Sequence, residues 1–415
     1  MPRRQAVSDW PLVLVALLLS ALGVAVVYSA GITDVPTAAT GLWRQQIAWL
    51  IIGGCAAYIV SRGSSRILDI LTVPGYVLSL LLLASLFVLG SGAGTAEGTN
   101  SWLTIGGRRL GQPAELAKIA VVLMLAKVLS ASRVAPRTIF ELWRPVLVVL
   151  VPWAMIMAQP DLGTGMVLVG VFFAMLFWSG ASWYLLLFAA SPAISLLLAF
   201  STGVWGAWFL GILAVLYIVR PRPLEAVIIA LANVAMGVVA PLLWDQLKPY
   251  QQQRLLTFLD PSSDPKASGY HVIQSQVAVG SGGWFGKGFT EGTQKRLAFL
   301  PEQHTDFIFP VLAEELGFVG VTIALAAFCA LLLRVIRVST RAVSPFTALV
   351  AFGVAAGWFV HIIVNIGMTV GLMPITGIPL PFFSYGGSFM LACWIGIGVI
   401  VRISADGRGR ADALL

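Results

Sequence analysis

The sequence predicts an all-α polytopic membrane protein, a bundle of about twelve helices carrying one large polar loop. Three observations carry that expectation. Of the 415 residues, 58% are hydrophobic and only 11% charged, far from the composition of a soluble domain. Apolar runs near the ~20 residues that cross a bilayer as helix recur along the chain. The short arginine clusters all fall on one side when successive connections are assigned alternately to the two faces of a membrane, as the excess of basic residues in cytoplasmic loops requires.

The runs lie at 10–30, 43–61, 70–90, 114–131, 144–159, 163–179, 182–200, 203–219, 223–243, 308–336, 345–370 and 385–403. The first, Pro11–Tyr28, reads as a span, because it is long enough to cross and has no small-residue cleavage site before the next polar turn. Arg3 and Arg4, Arg62 and Arg66, Arg133, Arg137 and Arg144, Arg220 and Arg222, Arg334, Arg337 and Arg341, and Arg402, Arg408 and Arg410 then share one face. That places both termini in the cytoplasm and the loops 31–42, 90–113, 244–307 and 371–384 outside. The net charge of +8 becomes a signal for topology, with no call for nucleic acid as a partner. Trp10, Trp43, Trp143, Trp178, Trp183 and Trp244 stand near span ends, as an interfacial belt does. Cys55, Cys329 and Cys393 lie in apolar segments without metal-like spacing, which suits small core residues. The whole chain, 1–415, reads as one membrane domain.

The polar block within 244–307 stands apart. It carries Arg254, Asp260, Asp264, Lys266, His271, Lys287, Lys295, Arg296, Glu302, His304 and Asp306, together with the glycine-rich run Gly280–Gly288. Long loops between packed elements are uncommon and usually functional or disordered. Apolar residues such as Phe258, Tyr270, Trp284 and Phe299 give this one anchors, so it reads as the working surface. Asp260 and Asp264 each precede proline, which biases them toward extended backbone. Such a pinned acid suits a turn first, and a general base second. Gly280–Gly288 resembles a phosphate loop only loosely, and Glu302-Gln-His-Thr-Asp306 fits no strong zinc pattern.

Ionisable groups at membrane depth are costly and mark function by default. Glu115 and Lys118 share a helix face at i, i+3, forming a structural ion pair or lining a substrate cavity. Asp161 caps the sixth span or faces the same cavity. His361 and Asn365, at i, i+4, suggest a hydrogen-bonded packing pair. In the loop 92–113, Trp102 suits stacking on a sugar, and Arg108 and Arg109 suit a phosphate; interfacial anchoring explains them as well. Pro374, Pro379 and Pro381 break the last outer loop, predicting a re-entrant segment.

These motifs resemble the SEDS (shape, elongation, division and sporulation) family from first span to last. The resemblance rests on Gln159-Pro-Asp-Leu-Gly-Thr164, Phe258-Leu-Asp-Pro261, Asp264-Pro265, Gly269-Tyr-His-Val-Ile-Gln-Ser275, Phe299-Leu-Pro-Glu302, His304-Thr-Asp-Phe-Ile-Phe309, Pro379-Leu-Pro381 and Ser384-Tyr-Gly-Gly-Ser388. Gly280-Ser-Gly-Gly283 and Gly286-Lys-Gly288 favour its RodA branch over its FtsW branch. It implies a peptidoglycan glycosyltransferase that polymerises lipid II at the outer face of the cytoplasmic membrane and serves cell elongation. The implied catalytic acid is Asp264. The implied substrate contacts are Trp102, Glu115, Lys118, Asp161, Arg108, Arg109, Arg254, Lys287, Glu302, His304 and Asp306. No tightly bound cofactor is implied, at most a loosely held divalent cation, Mg or Mn. Implied partners are lipid II, the growing glycan strand, a class B penicillin-binding protein, the elongation machinery and membrane lipids. Two positions depart from the pattern, Ser101 where the family often has arginine and Ala114 where it usually has serine. The family core has ten spans, so the resemblance also implies an added helical pair within about 182–243.

Overall fold

The computed structural model describes residues 9–35, 37–92, 100–105, 108–132, 134–246, 252, 268–300 and 302–412. Among them, a long helix stands at each of the twelve expected runs. These are α1 (Trp10–Ala30), α2 (Leu42–Arg62), α3 (Ser65–Leu89), α4 (Pro113–Ala131), α5 (Trp143–Ala158), α6 (Leu162–Trp178), α7 (Trp183–Leu198), α8 (Thr202–Val219) and α9 (Pro223–Gln246), then, beyond the polar block, α12 (Ile308–Thr340), α13 (Pro345–Thr369) and α14 (Gly387–Asp412). Eight helical stretches are long and apolar enough to cross a membrane, and α6 and α7 are shorter apolar helices. α2 and α4 are more polar, interrupted by Arg44, Gln45 and Gln46 in one and by Glu115, Lys118 and Lys127 in the other. The protein is a polytopic helical membrane protein.

Local chemistry sets the helix starts. Asp9 accepts from the Leu12 amide at the head of α1, Ser64 from Ile67 at the head of α3, and Ser344 forms a reciprocal box with Thr347 at the head of α13. Each satisfies an amide that has no partner within the helix. Pro74, Pro152, Pro192 and Pro241 lie inside helices, a load that membrane helices tolerate when neighbours take up the freed groups.

α13 and α14 form the centre: 67% of the most apolar stretch of each is buried, against 11% in α8 and 17% in α9. α13 packs on α4, α6, α12 and α14, while α14 lies along α2. The region 182–243 forms α7, α8 and α9, a peripheral unit with its own apolar cluster of Phe188, Ile212, Leu216 and Ile229. A buried polar chain crosses it: Ser195 donates to Asn233 Oδ1 at 2.6 Å, and Asn233 donates to Ser191 at 2.8 Å. The unit joins the main bundle where α7 packs on α6.

Part of the expected outer loop 244–307 is helix. α9 runs on to Gln246, and α10 (Ser268–Ser281) and the single turn α11 (Thr293–Arg296) lie inside the block. α10 is held because Ser275 and Gln276 donate to the terminal carbonyls of α13, Thr369 and Val370, at 2.7 and 3.1 Å. The loop after α3 carries a small antiparallel sheet, β1 (Gly90–Ser91), β2 (Trp102–Ile105) and β3 (Arg108–Gly111), in the order β1-β2-β3.

The two ends of the bundle are tied separately. At one end Asp9, before α1, pairs with Arg334 of α12 at 2.9 Å and accepts from Ser404 of α14 at 3.4 Å. At the other, Lys295 reaches the Ser29 carbonyl at 2.8 Å, and Gln303 donates to the Ala30 carbonyl at 2.8 Å. The C-terminal end of α1 and the start of α12 therefore share an end with the polar block, as alternating topology requires.

Candidate active site

The start of α4 brings two of the expected residues together. Lys118 Nζ lies 3.0 and 2.8 Å from the two Glu115 oxygens, with Glu115 buried and Lys118 nearly so. Ion pair and cavity lining are therefore the same arrangement. Both residues line a cleft of ≈ 440 Å³, counting its mouth, whose walls are Val122, Val167, Val171, Gly353, Trp358 and Phe389. Glu115, Lys118 and His361 supply its polar lining and the rest is mainly apolar, the usual design of a ligand pocket.

Asp161 caps α6, accepting from the Thr164 amide at 3.0 Å and its hydroxyl at 2.9 Å. Its second oxygen also takes a 3.2 Å hydrogen bond from Gln112, so one carboxylate starts α6 and joins it to the start of α4. Gln112 in turn donates its amide to Ser388, at the start of α14, at 3.0 Å.

The expected re-entrant segment is the part that connects these pieces. It approaches the start of α6 so closely that a methyl on Gly163 would strike Ile378 and come within 2.7 Å of the Thr376 carbonyl. Its core residues Ile378, Leu380, Phe382 and Phe383 are all buried. His361 and Asn365 do not form the expected mutual pair. His361 Nδ1 lies 3.0 Å from the Pro379 carbonyl, and Asn365 donates to the Ile378 carbonyl at 2.8 Å and the Asp306 carbonyl at 2.9 Å. Irregular backbone at membrane depth needs such donors, and each side chain supplies one to the segment.

Glu302, His304 and Asp306 lie on a turn bolted to the same segment. Ser384 donates to the Thr305 carbonyl at 2.6 Å, and the Tyr385 amide to the His304 carbonyl at 2.8 Å. His304 sits 3.8 Å from Glu302; burial holds its imidazole below the ordinary histidine range, and the Glu302 carboxylate pulls it partly back.

Lys287 belongs to a different cluster. It pairs with the fully buried Glu314 at 2.7 Å, and Glu314 also accepts from the Thr293 and Gln294 amides. The glycine-rich run around it is spent on the protein. α12 breaks at Gly317 (φ 64°, ψ −165°). The Lys287 and Gly288 amides donate to the Glu314 and Glu315 carbonyls, while the Phe318 and Val319 amides donate to Gly283 and Trp284. A methyl at Gly282 or Gly286 would collide with the Ala313 or Glu315 carbonyl, so the glycines are there for backbone approach.

Trp102 is half-buried on β2, and Arg108 and Arg109 stand on β3. Asp264 and Arg254 lie outside the described residues. Ser101 and Ala114, the two departures from the family pattern, are both buried. Among the described residues no group of three or more His, Cys, Asp or Glu side chains could hold a metal ion. Gln112 carried no signal in the sequence beyond its place before a helix start, whereas His361 stood out there as a polar side chain inside an apolar run but was assigned to Asn365 rather than to Lys118 and Pro379.

A polytopic helical membrane protein whose buried charges gather at one end of an apolar cleft is the class that fold and site define. The chain belongs to the FTSW_RODA_SPOVE family of cell cycle proteins, the SEDS family, whose model matches residues 9–205 and 201–409. It is 34% identical over 398 residues to the peptidoglycan glycosyltransferase MrdB of Escherichia coli K12, covering 95% of this chain and 93% of that one. It is also 34% identical to the peptidoglycan glycosyltransferase RodA of Treponema pallidum, covering 96% and 97%. Among solved structures it is similar to a chain of a peptidoglycan synthase complex that coordinates polymerization and crosslinking (TM-score 0.71, 30% identity, 97% of this chain and 99% of that one). The rod shape determining protein RodA of Thermus thermophilus also matches, with TM-score 0.63, 28% identity and coverage of 98% and 99%.

Proposed function

We propose that this chain is a peptidoglycan glycosyltransferase of the RodA type, polymerising lipid II into glycan strands at the outer face of the bacterial cytoplasmic membrane during elongation. The names of the similar proteins support the activity. The observation that carries it within this chain is the cleft, apolar along its walls and charged at the Glu115–Lys118 end, which suits a prenyl tail ending in a pyrophosphate-linked sugar.

In this reading the acceptor GlcNAc 4-hydroxyl attacks the anomeric carbon of the donor MurNAc from the face opposite the undecaprenyl pyrophosphate. One C–O bond forms as the other breaks, with inversion. Asp264 takes the hydroxyl proton as general base, and the leaving pyrophosphate carries away the bonding pair. Lys118, with Arg108, Arg109 and Arg254, meets that developing charge, where fixed cations lower the barrier most. Trp102 and Asp161 position sugars, and Glu302, His304 and Asp306 line the approach from the large loop. Orientation of two lipid-tethered sugars supplies much of the rate gain. Lys287, paired with Glu314, serves by holding the loop. Cross-linking falls to a separate class B penicillin-binding protein docked through helices, and both termini face the cytoplasm.

A lipid II flippase is the second reading, because a broken segment within many helices is compatible with transport. It requires polar groups along a through-path, whereas the cleft beyond Lys118 is walled by Val122, Val167 and Val171. Reconstitution of the full chain in vesicles with labelled lipid II, with and without a partner transpeptidase, separates the two. Glycan strands support the polymerase; label crossing the membrane with no polymer supports the flippase.

A further inference from the structure

Lys118 has a second partner, from another helix that lines the same cleft. Its ammonium lies 2.7 Å from His361 Nε2 on α13, 243 residues away in sequence. His361 is buried, and its other nitrogen, Nδ1, faces the Pro379 carbonyl at 3.0 Å. A carbonyl oxygen only accepts, so Nδ1 must carry the proton. Lysine only donates, so Nε2 must be the bare nitrogen that receives it. The two contacts select one tautomer of a neutral imidazole, in the way that a hydrogen bond at one ring nitrogen fixes the role of the other.

The ring is held in plane as well as in tautomer. Phe389 of α14 lies 4.7 Å from the His361 ring and 5.2 Å beneath the Lys118 ammonium. Glu115 alone would leave the long lysine side chain free to swing about one anchor. With His361 as a second acceptor, two of its three N–H groups are committed and the third keeps a fixed direction at the charged end of the cleft. The Pro379 carbonyl belongs to the re-entrant segment that also carries Ser384 and Tyr385, which are bonded to the turn bearing His304.

We infer that His361 is a positioning residue: as a neutral Nδ1–H imidazole hung from the Pro379 carbonyl, it sets where the Lys118 ammonium meets the substrate's pyrophosphate. The catalytic part of this inference rests on the glycosyltransferase reading; the tautomer and its link to Lys118 do not. Two substitutions separate the two contacts. Glutamine places its amide near the position of Nε2 and can still accept from Lys118. Asparagine places its amide near Nδ1, keeping the Pro379 contact while leaving Lys118 short.

With purified full-length protein and lipid II, His361→Gln is expected to stay near wild type. His361→Asn is expected to lose on the order of ten- to a hundredfold, the range for a hydrogen bond to a charged group, in kcat more than in KM. In a Lys118→Met background the asparagine change should cost nothing further, since coupled residues are non-additive. Equal losses for Gln and Asn, or an undiminished loss without Lys118, would make His361 merely structural and overturn the inference. A second measurement is independent of activity: ¹⁵N NMR of histidine-labelled protein, with the His361 signals identified by their loss in His361→Gln. The expected result is a protonated Nδ1 and a bare Nε2, shifted by Lys118→Met. An Nε2–H tautomer or a doubly protonated ring overturns the inference. A wild-type chain that makes no glycan but shows the expected tautomer sinks the enzyme reading and its catalytic corollary alone.

Discussion

Lys118 and Glu115 show how one pair can serve structure and chemistry together. Glu115 is 3% exposed, so removing its partner leaves a carboxylate with no route back to water. Lys118→Met is therefore expected to cost about 3–5 kcal/mol of stability, typical for breaking a buried ion pair from one side, and to slow polymerisation to a residual, still measurable rate. Thermal unfolding in detergent measures the first; an unchanged midpoint would mean that the pair is solvated. His304 sets a pH dependence. Burial places its folded-state proton affinity below that of the unfolded chain, so the unfolded state binds more protons. The stability tied to the neutral ring is complete above the unfolded value of ~6.5 and is lost as pH falls toward the lower folded one. Melting midpoints should drop as pH falls below about 6.5, and those of His304→Gln should drop less; parallel curves for the two proteins contradict this.

At the scale of elements, the break in α12 is the feature on which the polar block depends. Gly317 turns the helix out of its ladder, and the Gly282–Gly288 run takes up the freed groups. Side chains then pin the result to α1. Lys295, fully buried, pairs with Glu315 at 2.6 Å and bonds to Ser29, whose hydroxyl also donates to Glu315 at 2.5 Å. Lys295→Ala is expected to destabilise by about 3–5 kcal/mol. Lys287→Ala should cost clearly less, because Lys287 is 29% exposed and Glu314 keeps its backbone donors. Comparing the two midpoints checks this; equal losses would mean that the partly exposed pair is as essential as the buried one.

At the scale of the whole molecule, the proposed topology puts Glu291 outside and Thr340, near the Asp9–Arg334 tie, inside. In intact cells a membrane-impermeant thiol reagent should label Glu291→Cys, and should reach Thr340→Cys only after permeabilisation. The reverse pattern would turn the molecule over. The twelve helices were legible in the sequence because a bilayer fixes their length and leaves no water to satisfy broken backbone. Which of their polar residues meet was not. His361 finds Lys118 and Pro379 rather than Asn365, four residues along its own helix. The periodicity of one helix cannot name a partner on another. The glycine-rich run likewise carried no mark of its mate, because the Gly317 break that receives it shows as an ordinary apolar run. Glu115, Lys118 and Asp161 were legible as candidates since charge at membrane depth is scarce, whereas the hub that joins them, the segment ending at Ser384 and Tyr385, revealed only its prolines. The proposed reaction joins sugars with Asp264 as the base. Its most direct test is the initial rate of polymerisation of purified lipid II by the full-length protein and by Asp264→Asn. Glycan strands are expected from the first and none from an equally folded second; equal rates from the two would remove Asp264 from the reaction.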